Sequence, residues 1–293
     1  MKNIFRSIKG IRVLKKTPLS RYTSFHIGGY ADYLITVHSK RALRNVFEKI
    51  KKYKIRYFIL GAGTNLLVAD SGFRGVVIKL GGAFKQLKQK NNQFICGAGL
   101  LLDKLLEKTA DRGYQGAEFL AGIPGTVGGA VKGNAGAFGK SISQIVESIT
   151  IFDGKNFKEL KKESIKFGYR FSSVKNGVFI IQVKVKLRKS NRRSVTKKMA
   201  YYKNYRKQRQ PDEWSAGSFF KNPPEVPAGK LIEQCGLKGL RIGDAEVSNK
   251  HANFIINRGQ ATAEQVIALA QKIKRVVKNK KGVTLREEVR LLK

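Results

Sequence analysis

The chain has 293 residues, 42% of them hydrophobic, which is enough for two or three small cores. Its 59 basic and 20 acidic residues give a formal net charge of +39, so the composition indicates an anionic partner or an unusual cell. No apolar run could span a bilayer, and two widely spaced cysteines match no metal-ligand or disulfide pattern, so we expect a cytoplasmic protein without a metal ion.

The first third of the chain predicts alternating strands and helices. Strands are expected at 31–37, 55–60 and 76–80, with a helix that begins after the N-cap residue Ser39. Between the last two strands lies the glycine turn GAGTNL, residues 61–66, at which no helix is expected.

The middle third predicts a strand at 93–96 and a helix at 101–112 that Gly113 ends in a left-handed conformation. Residues 116–139 are the glycine-richest stretch, too interrupted for a long element and too apolar for a flexible linker. Residues 184–209 then hold twelve basic residues and no acid, with interspersed tyrosines, a composition typical of a nucleic-acid surface. This segment is our candidate domain boundary.

The last third predicts a small α+β module. Thr262 and Gln265 form a capping box at the start of a long helix, and Gly282 ends it. The other predicted elements are a short helix at 229–235 and strands at 252–257 and 285–292.

Two glycine loops are the strongest chemical signal. GAGTNL lacks the third glycine and the helix of a Rossmann fingerprint, so it is either an anion nest that cradles a diphosphate, with help from the hydroxyl of Thr64, or a simple tight turn. GIPGTVGGA, residues 122–130, allows the backbone to approach a flat or charged ligand closely. Together the loops favour a diphosphate-linked cofactor held between small sheets.

Three polar clusters follow, each of which alone is more often an ordinary surface or turn feature. They are GYRFSS with Tyr169 and Arg170, AGSFFKNP with Ser218, Lys221 and Asn222, and LREEVRLL with Glu287 and Glu288.

With both loops and all three clusters in this order, residues 19–292 closely resemble the family of UDP-N-acetylenolpyruvoylglucosamine reductases. TSFHIGGYADYL, AGKLIEQCGLKG and GDAEVSNKHANFIIN add to the resemblance. It implies an α+β protein of the shorter subtype, with a vanillyl-alcohol-oxidase-type FAD-binding fold of two α+β subdomains (1–85 and 86–200) and a C-terminal α+β substrate domain (201–293). The final strand could belong to this last domain or pack on the second subdomain.

The resemblance implies that FAD and NADPH reduce UDP-N-acetylglucosamine enolpyruvate to UDP-N-acetylmuramate. Ser218 is then the proton donor, Arg170 holds the substrate carboxylate, and Glu288 orients Arg170 or tunes the acidity of the site. The implied cofactor-binding residues are Gly61, Ala62, Gly63, Thr64, Asn65, Leu66, Gly122, Ile123, Pro124, Gly125, Thr126, Gly128, Gly129 and Ala130, and the implied substrate-binding residues are Tyr169, Lys221 and Asn222.

The sequence departs from the family pattern at His26, Thr64 and Glu246, where relatives commonly have a basic residue, Ser and Gln. Two other readings stay open at this point. One is a related FAD oxidoreductase with another substrate, and the other is a basic nucleic-acid-binding protein, whose binding would depend steeply on salt.

Overall fold

The computed structural model describes residues 4–293. Its α-helices are α1 Lys40–Lys52, α2 Leu102–Asp111, α3 Val127–Lys132, α4 Arg192–Arg209, α5 Ala228–Gln234 and α6 Ala263–Lys281. Its strands are β1 Ile11–Pro18, β2 Tyr30–Val37, β3 Tyr57–Ile59, β4 Leu66–Val68, β5 Phe73–Leu80, β6 Leu87–Lys90, β7 Gln93–Gly97, β8 Tyr114–Gln115, β9 Gly136–Ala137, β10 Lys140–Ser141, β11 Val146–Phe152, β12 Phe157–Lys161, β13 Phe167–Gly168, β14 Phe171–Ser172, β15 Phe179–Lys186, β16 Arg188–Lys189, β17 Trp214–Ser218, β18 Arg241–Ile242, β19 Ala245–Val247, β20 Phe254–Asn257 and β21 Arg290–Leu292.

The chain separates into two compact units, each built from several stretches of sequence. Unit 1 holds the chain up to Lys15, Tyr33–Ala62 and Gly75–Asn204, and unit 2 holds Lys16–Asp32, Gly63–Arg74 and Tyr205–Lys293. The three domains drawn from the resemblance, with boundaries at 85/86 and 200/201, stay a prediction.

Unit 1 contains an antiparallel sheet with the strand order β12-β11-β15-β7-β6. Along β15, Val183 and Val185 are buried while Lys184 and Lys186 are not, which confirms the predicted one-face-buried alternation. A second core of this unit joins the apolar face of α1 to strand residues such as Ile35. A further sheet has the strand order β1-β2-β5-β3.

The helix ends of unit 1 follow the signals in the sequence. The Ser39 side chain accepts a hydrogen bond from the Ala42 amide, at 3.2 Å, and so caps α1. Gly113, just beyond α2, has a φ of 70°, a left-handed conformation that favours glycine. The glycine-richest stretch forms short elements, such as the six-residue helix α3 and the two-residue strand β9, as its interrupted pattern predicted.

Residues 192–209 of the basic segment form the 18-residue helix α4, so the boundary predicted at 200/201 falls within a helix. Val195 and Met199, one turn apart, are buried in the same core of unit 1 as α2. No helix of the described residues is both long and apolar enough to cross a membrane.

Unit 2 combines an antiparallel sheet of order β17-β20-β19-β18 with α5 and α6 around one core. The strand predicted at 285–292 is shorter, because only β21 forms a regular ladder. It pairs in parallel with β4, with Arg290 opposite Leu66. The final strand therefore lies in unit 2 beside residues 66–68.

The start of α6 is fixed by three side chains. Thr262 and Gln265 form the predicted capping box. The Asp70 carboxylate accepts two further hydrogen bonds, from the amides of Ala263 at 2.8 Å and Glu264 at 3.0 Å. A carboxylate at a helix N-terminus also interacts favourably with the helix dipole.

We expect Asp70→Ala to lower the free energy of unfolding by about 1–2 kcal/mol, the cost of losing an N-terminal capping group. Asp70→Asn, which keeps one acceptor oxygen, should lose less. Glu264→Ala is the control, because it removes an exposed first-turn charge and leaves the Asp70 contacts in place. Urea unfolding measures all three, and an Asp70→Ala midpoint equal to that of the parent chain would contradict the expectation.

Candidate active site

The two predicted glycine loops meet within unit 1. A Cβ atom added at Gly61 would lie 2.9 Å from Thr126 Oγ1, so the first loop needs a glycine where it passes the second. The Gly61 carbonyl accepts a hydrogen bond from Lys79 Nζ at 2.6 Å. Within the described part of the chain, the amides of Gly61 and Ala62 donate no hydrogen bond.

The second loop leads into α3, whose first amides are already used. Val127 donates to the Leu100 carbonyl, Gly128 donates to the Ala98 carbonyl, and Gly129 donates to Thr126 Oγ1. The amides that donate to no other described residue belong instead to the loop itself, at Gly122, Gly125 and Thr126. The loop, and not the helix end, therefore offers donors to an anionic ligand.

The packing of α3 leaves no room for a larger residue at Gly128. A Cβ atom at Gly128 would lie 2.7 Å from the Cβ of Ala98. Ala130 is buried, Gly129 is exposed, and Ile123 and Pro124 complete the loop. The backbone of this loop is therefore held close to strand β7 and its continuation.

The rest of the first loop, from Gly63 to Leu66, belongs to unit 2. Gly63 has a φ of 73°, and a Cβ atom there would lie 2.0 Å from the Tyr22 carbonyl oxygen. The Gly63 carbonyl accepts from Ser24 N, and the Asn65 carbonyl accepts from Arg290 N. Asn65 Nδ2 also donates to the Glu288 carbonyl at 3.3 Å, so the structure places a predicted cofactor residue beside a predicted catalytic one.

Arg170 lies in unit 1 at the tight turn between β13 and β14. Its φ is 54°, in the left-handed region. Its Nη1 donates to the Gly136 carbonyl at 3.0 Å, and its guanidinium lies 5.3 Å from the centroid of the exposed Tyr169 ring. The head group is thus held by a backbone acceptor and a cation–π contact.

Ser218 and Glu288 lie on neighbouring segments of unit 2. Ser218 ends β17 after a register shift at which Gly217 has a φ of 78°. The Glu288 amide donates to the Phe219 carbonyl at 2.8 Å, which joins the two segments. The Ser218 hydroxyl makes no hydrogen bond with another described residue.

The predicted substrate residues follow the same segment. The Lys221 amide donates to the Arg286 carbonyl at 2.8 Å, which continues the pairing that includes Glu288. Asn222 Oδ1 accepts from Ala228 N at the start of α5, at 3.1 Å.

The departures from the family pattern have defined surroundings in unit 2. His26 stacks on Trp214, with ring centroids 4.2 Å apart. Glu246 is buried and accepts two hydrogen bonds from Arg258, at 2.9 and 2.7 Å, and these bonds hold the pKa of its carboxyl below the usual range. Both Glu246 oxygens are thus engaged within the protein.

Lys79, whose ammonium bonds to the first glycine loop, is marked by no motif in the sequence. Burial, together with the nearby charge of Lys85, lowers its pKa to about 8. Both cysteines are free and buried, and burial raises the pKa of the Cys96 thiol to about 12. Among the described residues no cluster of His, Cys, Asp or Glu could hold a metal ion.

Comparison with known proteins gives two domain matches. Residues 210–292 match the C-terminal domain of UDP-N-acetylenolpyruvoylglucosamine reductase, and residues 31–156 match an FAD-binding domain.

Proteins named UDP-N-acetylenolpyruvoylglucosamine reductase align along nearly the whole chain. The one from Caldanaerobacter subterraneus is 42% identical over 278 residues, 94% of this chain and 92% of that protein. The one from Bacillus subtilis is 38% identical over 285 residues, 96% of this chain and 94% of that protein. The crystal structure of the Thermus caldophilus reductase superimposes with a TM-score of 0.84 at 37% identity, and covers 97% of this chain and 99% of its own.

Lys79→Met removes a positive charge and the hydrogen bond that Lys79 donates to the Gly61 carbonyl in the first glycine loop. Because a charge-assisted hydrogen bond contributes about 1.5–3 kcal/mol, we expect this variant to weaken FAD binding about 10- to 100-fold. In the parent protein, affinity for the anionic cofactor should fall as the pH rises past about 8, where the Lys79 ammonium loses its proton. The variant should show no such fall.

Titration of the apoprotein with FAD across this pH range measures both effects. Lys85→Met is the matched control, because Lys85 is exposed and its charge lowers the pKa of Lys79. It should move the fall in affinity to higher pH. An equally steep fall in Lys79→Met would assign the effect to another group.

Proposed function

Because this chain belongs to the family of UDP-N-acetylenolpyruvoylglucosamine reductases, we propose that Arg170, Ser218 and Glu288 act on its substrate. The protein is an FAD-dependent oxidoreductase of peptidoglycan precursor synthesis. It uses NADPH to reduce UDP-N-acetylglucosamine enolpyruvate to UDP-N-acetylmuramate. The observation that supports the residue roles best is the hydrogen bond from Glu288 N to the Phe219 carbonyl, next to Ser218.

The glycine loops have the features that an FAD diphosphate requires. The loop amides of Gly61, Ala62, Gly122, Gly125 and Thr126 donate to no other described residue, and they match a ligand rich in acceptor oxygens. The missing side chains at the glycines let the ligand approach the backbone. When bound, FAD supplies the hydride that it takes from NADPH.

The role of Arg170 is to hold the carboxylate of the enolpyruvyl group. A planar guanidinium can bind a carboxylate through two parallel hydrogen bonds. Hydride addition at C3 leaves negative charge at C2 and on this carboxylate. A fixed cation therefore stabilises the transition state more than the ground state. The contacts of Arg170 with Gly136 and Tyr169 restrict the motion of its head group before substrate arrives.

The role of Ser218 is to give its proton to C2 of the enolpyruvyl group. That proton and the hydride at C3 together saturate the carbon–carbon double bond. A hydroxyl is a weak acid, so the reaction needs a short and well-aligned transfer. Glu288, whose backbone amide bonds to the Phe219 carbonyl on the neighbouring segment, tunes the acidity of the site.

Further residues serve substrate binding. The Lys221 ammonium can attract the substrate diphosphate, Tyr169 supplies an exposed aromatic ring, and Asn222 helps to set the start of α5. The net charge of +39 also draws in three anions, NADPH, FAD and the nucleotide sugar. We place the reaction in the cytoplasm, since two free cysteines suit a reducing compartment. Because the chain belongs to this reductase family, we propose the reductase activity as its function in place of the alternative of a basic nucleic-acid-binding protein.

We expect Ser218→Ala to slow reoxidation of the reduced flavin by substrate about 10²- to 10⁴-fold, the contribution of a positioned general acid. Reduction of the flavin by NADPH should stay near the parent rate, because that step needs no proton from Ser218. Anaerobic stopped-flow absorbance measures the two half-reactions separately.

Ser218→Cys is the control variant, since a thiol can still donate a proton from the same position. It should recover part of the reoxidation rate. Equal losses in both half-reactions of Ser218→Ala would remove Ser218 from the role of proton donor.

A further inference from the structure

Asn253, just before β20 in unit 2, is a buried amide with every side-chain polar atom engaged. Its residue is 3% exposed. Its Oδ1 accepts from Phe220 N at 2.9 Å, and its Nδ2 donates to the Phe220 carbonyl at 2.8 Å. A carboxamide has a donor and an acceptor side by side, so it can pair with one residue's backbone as a neighbouring strand would.

The backbone of Asn253 completes the same clamp. Its carbonyl accepts from Phe219 N at 2.7 Å, and its amide donates to His251 Nδ1 at 3.2 Å. Burial lowers the pKa of His251, which favours the neutral ring that can accept this bond. Two consecutive residues, Phe219 and Phe220, are therefore fixed by one asparagine.

The clamp lies where the regular sheet stops. The ladder between β17 and β20 is irregular between Ser215 and Ser218, and its last pair is Ser218 with Phe254. Beyond that pair, the side chain of Asn253 takes over the role of the missing strand. The position of Ser218 at this irregular end depends on what holds the next two residues.

The far side of the clamped segment carries Glu288. The Phe219 carbonyl accepts from Glu288 N at 2.8 Å, and Lys221 N donates to the Arg286 carbonyl at 2.8 Å. The segment after Ser218 thus lies between Asn253 on one side and the Glu288 segment on the other.

We propose that Asn253 is a positioning residue for the proton transfer: it fixes Ser218 relative to Glu288 through the backbone of Phe219 and Phe220. Asn253 acts through these two residues, and this role requires no contact between Asn253 and the substrate. This positioning role rests on the proposed roles of Ser218 and Glu288. Variants of Asn253 and of Ser218 can fail independently, so an error in one role can be told from an error in the other.

Asn257, at the other end of β20, offers a matched control. It is 4% exposed, and its Nδ2 donates to the Phe25 carbonyl at 3.0 Å. Its Oδ1 accepts from the amides of Gly259 and Ala261. Asn257 is therefore about as buried as Asn253, and its side chain is also bonded to backbone groups, but it braces different backbone.

The test compares Asn253→Ala and Asn253→Asp with the same substitutions at Asn257 in the FAD-loaded protein. For the Asn253 variants we expect flavin reduction by NADPH within about 2-fold of the parent rate and reoxidation by substrate about 10- to 100-fold slower, as for a displaced proton donor. Their solvent deuterium isotope effect on reoxidation should increase. The Asn257 variants should affect the two half-reactions equally.

Two further measurements separate positioning from general stability. Amide hydrogen exchange at Glu288, whose N–H donates to the Phe219 carbonyl, should speed up in Asn253→Ala and not in Asn257→Ala. The double variant Ser218→Ala/Asn253→Ala should reoxidise no more slowly than Ser218→Ala alone, because two residues that serve one step are not additive.

Slower reoxidation in Ser218→Ala together with unchanged reoxidation in the Asn253 variants would overturn the positioning role and leave the proposed function standing. Unchanged reoxidation in Ser218→Ala would overturn the proposed role of Ser218 itself. Equal losses in both half-reactions, or loss of bound FAD in both Asn253 variants, would make Asn253 a general stability residue and contradict the proposal.

Discussion

The hydrogen bonding of the last seven residues of the chain is the constraint on which the architecture of unit 2 depends. Arg290, Leu291 and Leu292 pair in parallel with β4, the strand that directly follows the first glycine loop. The residues just before them, including Glu288, bond to the segment that follows Ser218. One short stretch therefore joins a predicted cofactor loop to the proposed proton donor.

Within each unit the proposed catalytic groups are held through the backbone. Arg170 depends on the Gly136 carbonyl, while Ser218 and Glu288 depend on the bonds of Phe219. A buried backbone group that loses its hydrogen-bond partner destabilises the fold. The contacts that hold these catalytic groups therefore also stabilise the folded protein. The Arg170 head group, which is held this way, loses little further entropy when it engages a substrate.

Local sequence signals predicted local structure well. The caps at Ser39 and Thr262 and the left-handed Gly113 are confirmed, because each depends on a few adjacent residues. The partner of the final strand could not be predicted, since a parallel pairing with residues more than two hundred positions away leaves no local pattern. Helix α4 was also missed, because its basic residues conceal a narrow apolar stripe.

Within the candidate site, the sequence marked the glycine loops and polar clusters through their unusual composition and the family resemblance. Lys79 and Asn253 could not be predicted, because single Lys and Asn residues are common in any sequence. Only their hydrogen bonds in the folded protein distinguish them from other Lys and Asn residues.

The most direct test of the account is an anaerobic half-reaction in D₂O. The parent protein is reduced with NADPH, mixed with UDP-N-acetylglucosamine enolpyruvate, and followed by flavin absorbance and mass spectrometry of the product. We predict rapid reoxidation and UDP-N-acetylmuramate that carries a solvent-derived deuterium at C2. A flavin that NADPH reduces but this substrate cannot reoxidise would contradict the proposed reaction.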